Sequence, residues 1–142
     1  MSTPEITAQS LADGSAFIRA LGMQFEHLGG DRVAGHVLLG ADHHTPWGVV
    51  HGGVYAALAE SAASIGASLA VRDRGQFAVG VHNATDFLRS TKEGRLEVVA
   101  TPLQQGRVQQ LWLVTTRRDD GKDVSRSHVR LQNIALPTED AD

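Results

Sequence analysis

The sequence has no cysteine. Disulfides, thiol nucleophiles and zinc–thiolate sites are therefore excluded, and the chemistry suits a reducing compartment. It also lacks a basic excess: 13 lysines and arginines face 16 aspartates and glutamates, for a formal net charge of −3. Nucleic-acid binders carry a basic face or stripe, and none is present, so no nucleic-acid partner is expected. A disordered chain is excluded too, because 42% of the residues are hydrophobic and only 20% are charged. No basic stretch followed by an apolar run opens the chain. The longest weakly polar stretch, residues 45–71, contains His51, Glu60 and four serines or threonines, the wrong make-up for a bilayer span. The expectation is a cytoplasmic protein with no membrane partner. No linker, repeat or low-complexity block divides the chain. A chain of 142 residues buries about 68% of its unfolded surface, enough for one core, so a single domain over 1–142 is expected. Residues 1–9 and 137–142 read as loose tails.

Ser10 to Leu21 reads as a short helix ended by Gly22. Met23 to Leu28 and Arg32 to Leu39 read as strands joined by the turn Gly29-Gly30-Asp31. Residues 40–50 form a loop. From Gly53 to Val71, seven alanines accompany Val54, Leu58, Ile65 and Leu69, with Glu60 the one charge. Alanine is the strongest helix former, and a helix apolar almost all round is a buried one. Four strand-like runs follow: Gln76 to Thr91, Arg95 to Leu103, Arg107 to Thr116 and Val124 to Leu136. Leu96, Val98 and Ala100 share one face of the second, and Leu111, Leu113 and Thr115 one face of the third. The fold class is α+β, an antiparallel sheet around one central helix. A sheet with a single helix to cover it leaves surface for a partner chain.

Chemistry concentrates at Trp47-Gly48-Val49-Val50-His51-Gly52-Gly53 and the helix that follows. The first amides of a helix lack internal partners and lie at its positive end. With glycine at 52 and 53 they are open to an oxygen that becomes anionic during nucleophilic attack. The plainer alternative is that these glycines only permit a tight turn. Glu60 shifts the balance. A lone carboxylate among apolar residues is costly, and an enzyme keeps one as a base or nucleophile. His51 beside the glycines suits positioning better than proton transfer. Ser64, one turn past Glu60, can hydrogen-bond the carboxylate or a water, or simply pack. Gly52 and Glu60 stand eight residues apart, ~12 Å along a helix axis, so one side chain does not reach the other's substrate atom. The amide of one copy is thus expected to serve Glu60 of another, at a dimer interface. His43 and His44 are adjacent and diverge, and no metal site is expected.

These residues resemble hotdog-fold acyl-CoA thioesterases, nearest the phenylacetate-pathway and aryl-CoA branch that includes hydroxybenzoyl-CoA and dihydroxynaphthoyl-CoA thioesterases. The likeness runs through Gly48 to Glu60, Val79-Gly80, Asn83, Phe87-Leu88-Arg89, Lys92-Glu93-Gly94, Pro102-Leu103, Gly106 and Gln110-Leu111-Trp112, spanning roughly residues 23–135. The resemblance implies a hotdog fold and hydrolysis of an acyl-CoA, aromatic or medium-chain, without cofactor or metal. It implies a homo-oligomer, either a dimer or a dimer of dimers. Glu60 would be the catalytic carboxylate, acting as base or nucleophile. The Gly52 amide would polarise the thioester carbonyl, and His51 would help place the acyl group. Gly53, Ser64, Gly80, Asn83, Arg89, Ser90, Gly106, Arg107 and Val108 would line the substrate, with Arg89 on the nucleotide and residues 106–108 along pantetheine. Thr45 stands where the aryl-CoA members have a glutamine associated with the thioester or the attacking water. Two rival activities share such a fold: a hydratase or dehydratase on acyl-CoA or acyl-carrier protein, and a non-catalytic acyl-CoA-binding module.

Overall fold

A computed structural model describes residues 5–138. Two short helices open it, α1 (Ala8–Gly14) and α2 (Ala16–Leu21). They replace the single helix expected over Ser10 to Leu21. Ser15 takes an extended backbone between them and accepts a hydrogen bond from the Ile18 N–H at 3.2 Å, capping α2 and breaking the run. Of the tails expected over 1–9 and 137–142, residues 1–4 and 139–142 lie outside the described residues, while residues 8 and 9 belong to α1. Thr7 and Ser10 exchange side-chain bonds with each other's backbone N–H, a capping box that starts α1. Gly22 ends α2 in the left-handed region, at φ 78°.

Strands β1 (Gln24–Gly29) and β2 (Arg32–Leu39) precede helix α3 (Gly52–Val71). Strands β3 (Gln76–Phe87), β4 (Gly94–Gln105), β5 (Gln109–Arg118) and β6 (Asp123–Ala135) follow it. They form one antiparallel sheet in the order β1-β2-β4-β5-β6-β3. This is the expected hotdog arrangement, with α3 in the hollow of the sheet.

Alternation along the strands builds the core. Leu96, Val98 and Ala100 of β4 point inward and are fully buried. On β5 the inward face holds Gln110, Trp112, Val114 and Thr116, so Leu111, Leu113 and Thr115 share the outer one. Val124, Val129 and Leu131 of β6 complete the wall against α3. Tyr55, Leu58, Ala59, Ala62, Ala63 and Ala67 meet it from the helix. Each large side chain buried this way, Leu58 or Leu96 for instance, stabilises the fold by ~1.5–3 kcal/mol. The helix is long and apolar enough to cross a membrane, yet half of it is buried, as the core helix of this sheet.

The sheet does not close around α3. Glu60, Ser61, Ser64 and Ser68 lie on the side left partly open. β3 is the last strand beside this opening, and β6 is its only partner among the described residues. Its register slips between Gly80 and His82, leaving Val81 as a bulge without a partner on β6.

Candidate active site

The loop before α3 is held from two directions. The Val50 N–H donates to the Thr91 carbonyl at 2.9 Å, and the His51 N–H donates to the His43 carbonyl at 2.8 Å. His43 is itself fixed, its Nε2 lying 3.0 Å from the Leu21 carbonyl and its Nδ1 accepting from the Gly40 N–H. His44 Nε2 meets the Lys92 carbonyl at 2.6 Å. Both histidines are staples of the loop. Among the described residues, no group of three or more metal-ligating side chains gathers.

His51 is the N-cap of α3, and its Nδ1 accepts from the Gly53 N–H at 2.8 Å. The neutral ring therefore carries its proton on Nε2, which is free to donate outward. The pair of open amides expected at 52 and 53 is thus reduced to one. Gly53 is capped, whereas the Gly52 N–H meets no acceptor among the described residues. Space at Gly52 is tight as well: a Cβ there would lie 3.0 Å from the Phe87 ring.

Gly52 opens into a cavity of about 300 Å³ shared with Val50, Tyr55, Phe87, Arg89 and Ser90. Arg89 is exposed, and one of its terminal nitrogens donates to the Asp123 carbonyl at 2.6 Å. Tyr55 is only 2% exposed, its ring tilted against Phe87 with centroids 6.2 Å apart. Its hydroxyl is buried without a hydrogen-bond partner. Burial pushes that hydroxyl up from 10.0 to about 12, with the Arg118 charge pulling the other way. Sequence reasoning missed Tyr55, since a tyrosine in an alanine-rich helix reads as packing.

Glu60 lies two turns further along α3. Its carboxylate rests against Gly80, where any Cβ would overlap Oε1. In the single chain Glu60 is exposed, contrary to the burial expected from its apolar neighbours in sequence. The reason is directional: the helix is apolar all round, but its Glu60 side faces the opening beside β3. Glu60 makes no ion pair among the described residues. Ser64 follows on the same side and opens a second, apolar cavity of about 380 Å³ with Leu11, Ile65, Phe77 and Leu136.

Other expected site residues are already engaged. Asn83 Nδ2 donates to the Ala56 carbonyl at 2.9 Å, and its Oδ1 accepts from the Thr85 hydroxyl at 2.7 Å. Asn83 thus ties β3 to α3. The Thr45 hydroxyl accepts from the Trp47 N–H at 3.2 Å, within the turn that exposes Trp47. Gly106, Arg107 and Val108 are held from β6. Asn133 Nδ2 donates to the carbonyls of Gly106 and Arg107, and the Asn133 N–H donates to that of Val108. Asn133 belongs to a buried network through Gln110, whose Nε2 also reaches the Ala67 carbonyl near the end of α3.

The chain therefore sorts its expected site residues along α3. His51, Gly52, Gly53, Arg89 and Ser90 gather at its start, Glu60, Ser64 and Gly80 at its middle, and residues 106–108 toward its far end. One chain does not bring all three groups together.

A family model described as the thioesterase superfamily matches residues 48–125. The chain belongs to the thioesterase superfamily. A relative in Mycobacterium tuberculosis, Rv1847, which carries an esterase name, is 44% identical over 83% of this chain and 86% of its own length. The proofreading thioesterase EntH of Cronobacter turicensis is 32% identical over 74% of this chain and 76% of its own. Among solved structures, thioesterase HI1161 from Haemophilus influenzae superposes with a TM-score of 0.85 at 28% identity, covering 97% of each chain. The PaaI protein of the E. coli phenylacetic acid degradation operon shares the fold, with a TM-score of 0.80 at 22% identity. This superfamily member is a thioester hydrolase with the hotdog fold expected from its sequence.

Proposed function

We propose that this thioesterase hydrolyses acyl-CoA thioesters, aromatic or medium-chain, in the cytoplasm, at a site shared between two copies of the chain. The observation that carries the reading is the separation along α3. An amide with no acceptor, Gly52, lies in a cavity with Arg89, while the lone carboxylate rests on Gly80 a helix-length of ~12 Å away. The two can meet one thioester when they come from different copies. The unpaired β3 edge, with Val81, Phe87 and Leu88 exposed along it, is the surface on which a second copy fits. A dimer, or a dimer of dimers, follows from that edge.

In this reading the Gly52 N–H polarises the thioester carbonyl and Arg89 takes a CoA phosphate in a forked pair. Glu60 accepts a proton from water as the oxygen bonds to the carbonyl carbon. The collapsing oxyanion expels the thiolate, which takes the proton from Glu60. The alternative route has Glu60 attack the carbon directly, giving an anhydride that water then opens. The apolar cavity past Ser64 offers room for the acyl group. Neither route requires a metal or cofactor.

Release of free thiol from a panel of aryl, short, medium and long acyl-CoAs tests the proposal. Glu60→Gln should lower kcat/KM at least ~100-fold, the usual size of an acid–base contribution. Equal rates in that variant exclude the mechanism, and CoA binding without thiol release replaces it with a non-catalytic binding module. A single turnover in heavy-oxygen water separates the two routes: label in Glu60 marks nucleophilic attack, and label only in the acid product marks general-base catalysis.

A further inference from the structure

Glu60 makes no ion pair among the described residues, so its carboxylate lies where the packing of α3 on β3 leaves it, against Gly80. Two polar ties fix that packing, one on each side of the contact. Toward the end of α3, the Ser68 hydroxyl accepts from the Ala78 N–H at 3.0 Å and donates to the Ala78 carbonyl at 3.4 Å. Toward its start, Asn83 Nδ2 donates to the Ala56 carbonyl at 2.9 Å. Glu60 lies between Ala56 and Ser68 on the helix, and Gly80 lies between Ala78 and Asn83 on the strand. The Asn83 tie is the nearer to Glu60. Ala56 precedes Glu60 by one turn, ~6 Å along the axis, and its carbonyl is the helical acceptor of the Glu60 N–H.

Simple alternation would not put Asn83 there. Successive strand side chains point to opposite faces, so a residue three past the inward Gly80 should point outward. The bulge at Val81 resets the count. Gly80 is opposite Leu131 and Asn83 is opposite Val129, both fully buried, so β3 uses three residues where β6 uses two. His82, between them, lies opposite the exposed Arg130. Bulges beside active sites re-aim side chains in this way. The amide is also locked the right way round. The Thr85 hydroxyl donates to Asn83 Oδ1 at 2.7 Å and lies 2.8 Å from the hydroxyl of the fully buried Ser127. A hydroxyl has one hydrogen, so Thr85 gives its own to Asn83 and accepts from Ser127. Turned over, the amide would set its oxygen against the Ala56 carbonyl.

We infer that Asn83 is a positioning residue for Glu60. The Val81 bulge turns its amide inward onto Ala56, and this tie, with the one at Ser68, keeps α3 and β3 at the spacing that holds the carboxylate on Gly80. The inference rests on the catalytic reading of Glu60 above. Asn83 then serves turnover through Glu60, and does not line the substrate as the resemblance implied.

Asn83→Ala tests the assignment. For the acyl-CoA cleaved fastest, kcat should fall at least ~10-fold, part of the ~100-fold that a 1 Å misplacement of a reacting group costs. KM, and the Kd of CoA by calorimetry, should stay within about twofold. A substrate-lining residue would raise both when removed, and that result would overturn the inference. In the Glu60→Gln background the same substitution should change kcat/KM by less than about twofold, because a group that acts through Glu60 has nothing left to position. A loss of equal size in both backgrounds would overturn the inference, as would a native kcat in folded Asn83→Ala. Failure of the Glu60 reading is seen separately, as native thiol release by Glu60→Gln alone, and removes the inference with it. If Asn83→Ala does not fold, Thr85→Val takes its place: the amide remains but loses its lock. There kcat should fall about threefold or more with KM unchanged, the worth of one neutral hydrogen bond, and an unchanged kcat would overturn the inference.

Discussion

Position 80 has no side chain because the Glu60 carboxylate occupies the space one would need. The contact makes a test that leaves the carboxylate's chemistry intact. Gly80→Ala should push the end of the Glu60 side chain aside, since an exposed, flexible carboxylate yields more readily than β3. A displacement on the order of 1 Å costs about 100-fold when it misplaces a reacting group. The variant should therefore lose about that much kcat/KM while its circular dichroism and melting temperature stay native. Undiminished turnover with a native fold would mean that Glu60 does not act from this position. At this scale the sequence was partly legible. Glu60 stood out as the one charge in a long apolar helix, and Gly52 as a glycine at a helix start. Tyr55 did not stand out, because what distinguishes it is a missing partner, and partners are a property of the folded chain. The capping of Gly53 by His51 was hidden for the same reason.

Along α3, the fit between helix and sheet rests on Gly66 as much as on the alanines. Helix propensity alone favours alanine at such a position by about 1 kcal/mol. Here a Cβ would lie 2.5 Å from Trp112 Cη2 and 3.0 Å from Val33 Cγ2. Trp112 cannot move away easily. It is fully buried, and its Nε1 donates to Gln110 Oε1 at 2.9 Å. Gly66→Ala should therefore destabilise the protein by ~1–3 kcal/mol, the usual cost of overpacking, when urea unfolding is compared. A gain in stability would show that the Trp112 ring is loosely held. Trp112 also explains the facing of β5. Alternation announced a strand over this stretch without saying which set pointed inward. Leu111 and Leu113 look as suited to a core as Trp112 and Val114. In the fold the Trp112 ring lies where a side chain at position 66 would be, so the glycine and the tryptophan face go together. The element order and central helix were legible because each rests on local periodicity, whereas the strand expected over Gln76 to Thr91 ends at Phe87 and the one expected from Arg107 begins at Gln109. The break at Ser15 was not legible, because an N-cap inside an apolar stretch gives no change of period.

For the molecule as a whole, the question is whether one chain is a whole active site. The sheet ends at β3 with an edge of 12 residues open on one side, next to the opening that exposes Glu60. Loop 106–108, expected along the substrate, is anchored toward the far end of α3 by Asn133 and Gln110. In a two-fold pair the start of one helix can lie near the middle or far end of the other, and isologous contacts then create two identical composite sites. Sequence spacing raises the same question, as a distance too long for one side chain to bridge. It could not give the edge, which exists only once β3 is placed last in the sheet. A mixing experiment separates one-chain from two-chain sites. Gly52→Val crowds the amide against Phe87 and leaves Glu60 native, whereas Glu60→Gln removes the base and leaves Gly52 native. Alone, each variant should be nearly inactive. If the site is shared, a mixed dimer contains one site built from native Gly52 and native Glu60, and another in which both are altered. Random pairing makes half of the dimers mixed, so an equal mixture refolded together should regain about a quarter of the native activity. If each chain holds its own site, every site in the mixture carries one lesion and no activity returns. Recovery near a quarter, lost again when the variants are refolded separately before mixing, would place Gly52 and Glu60 of one working site on different chains.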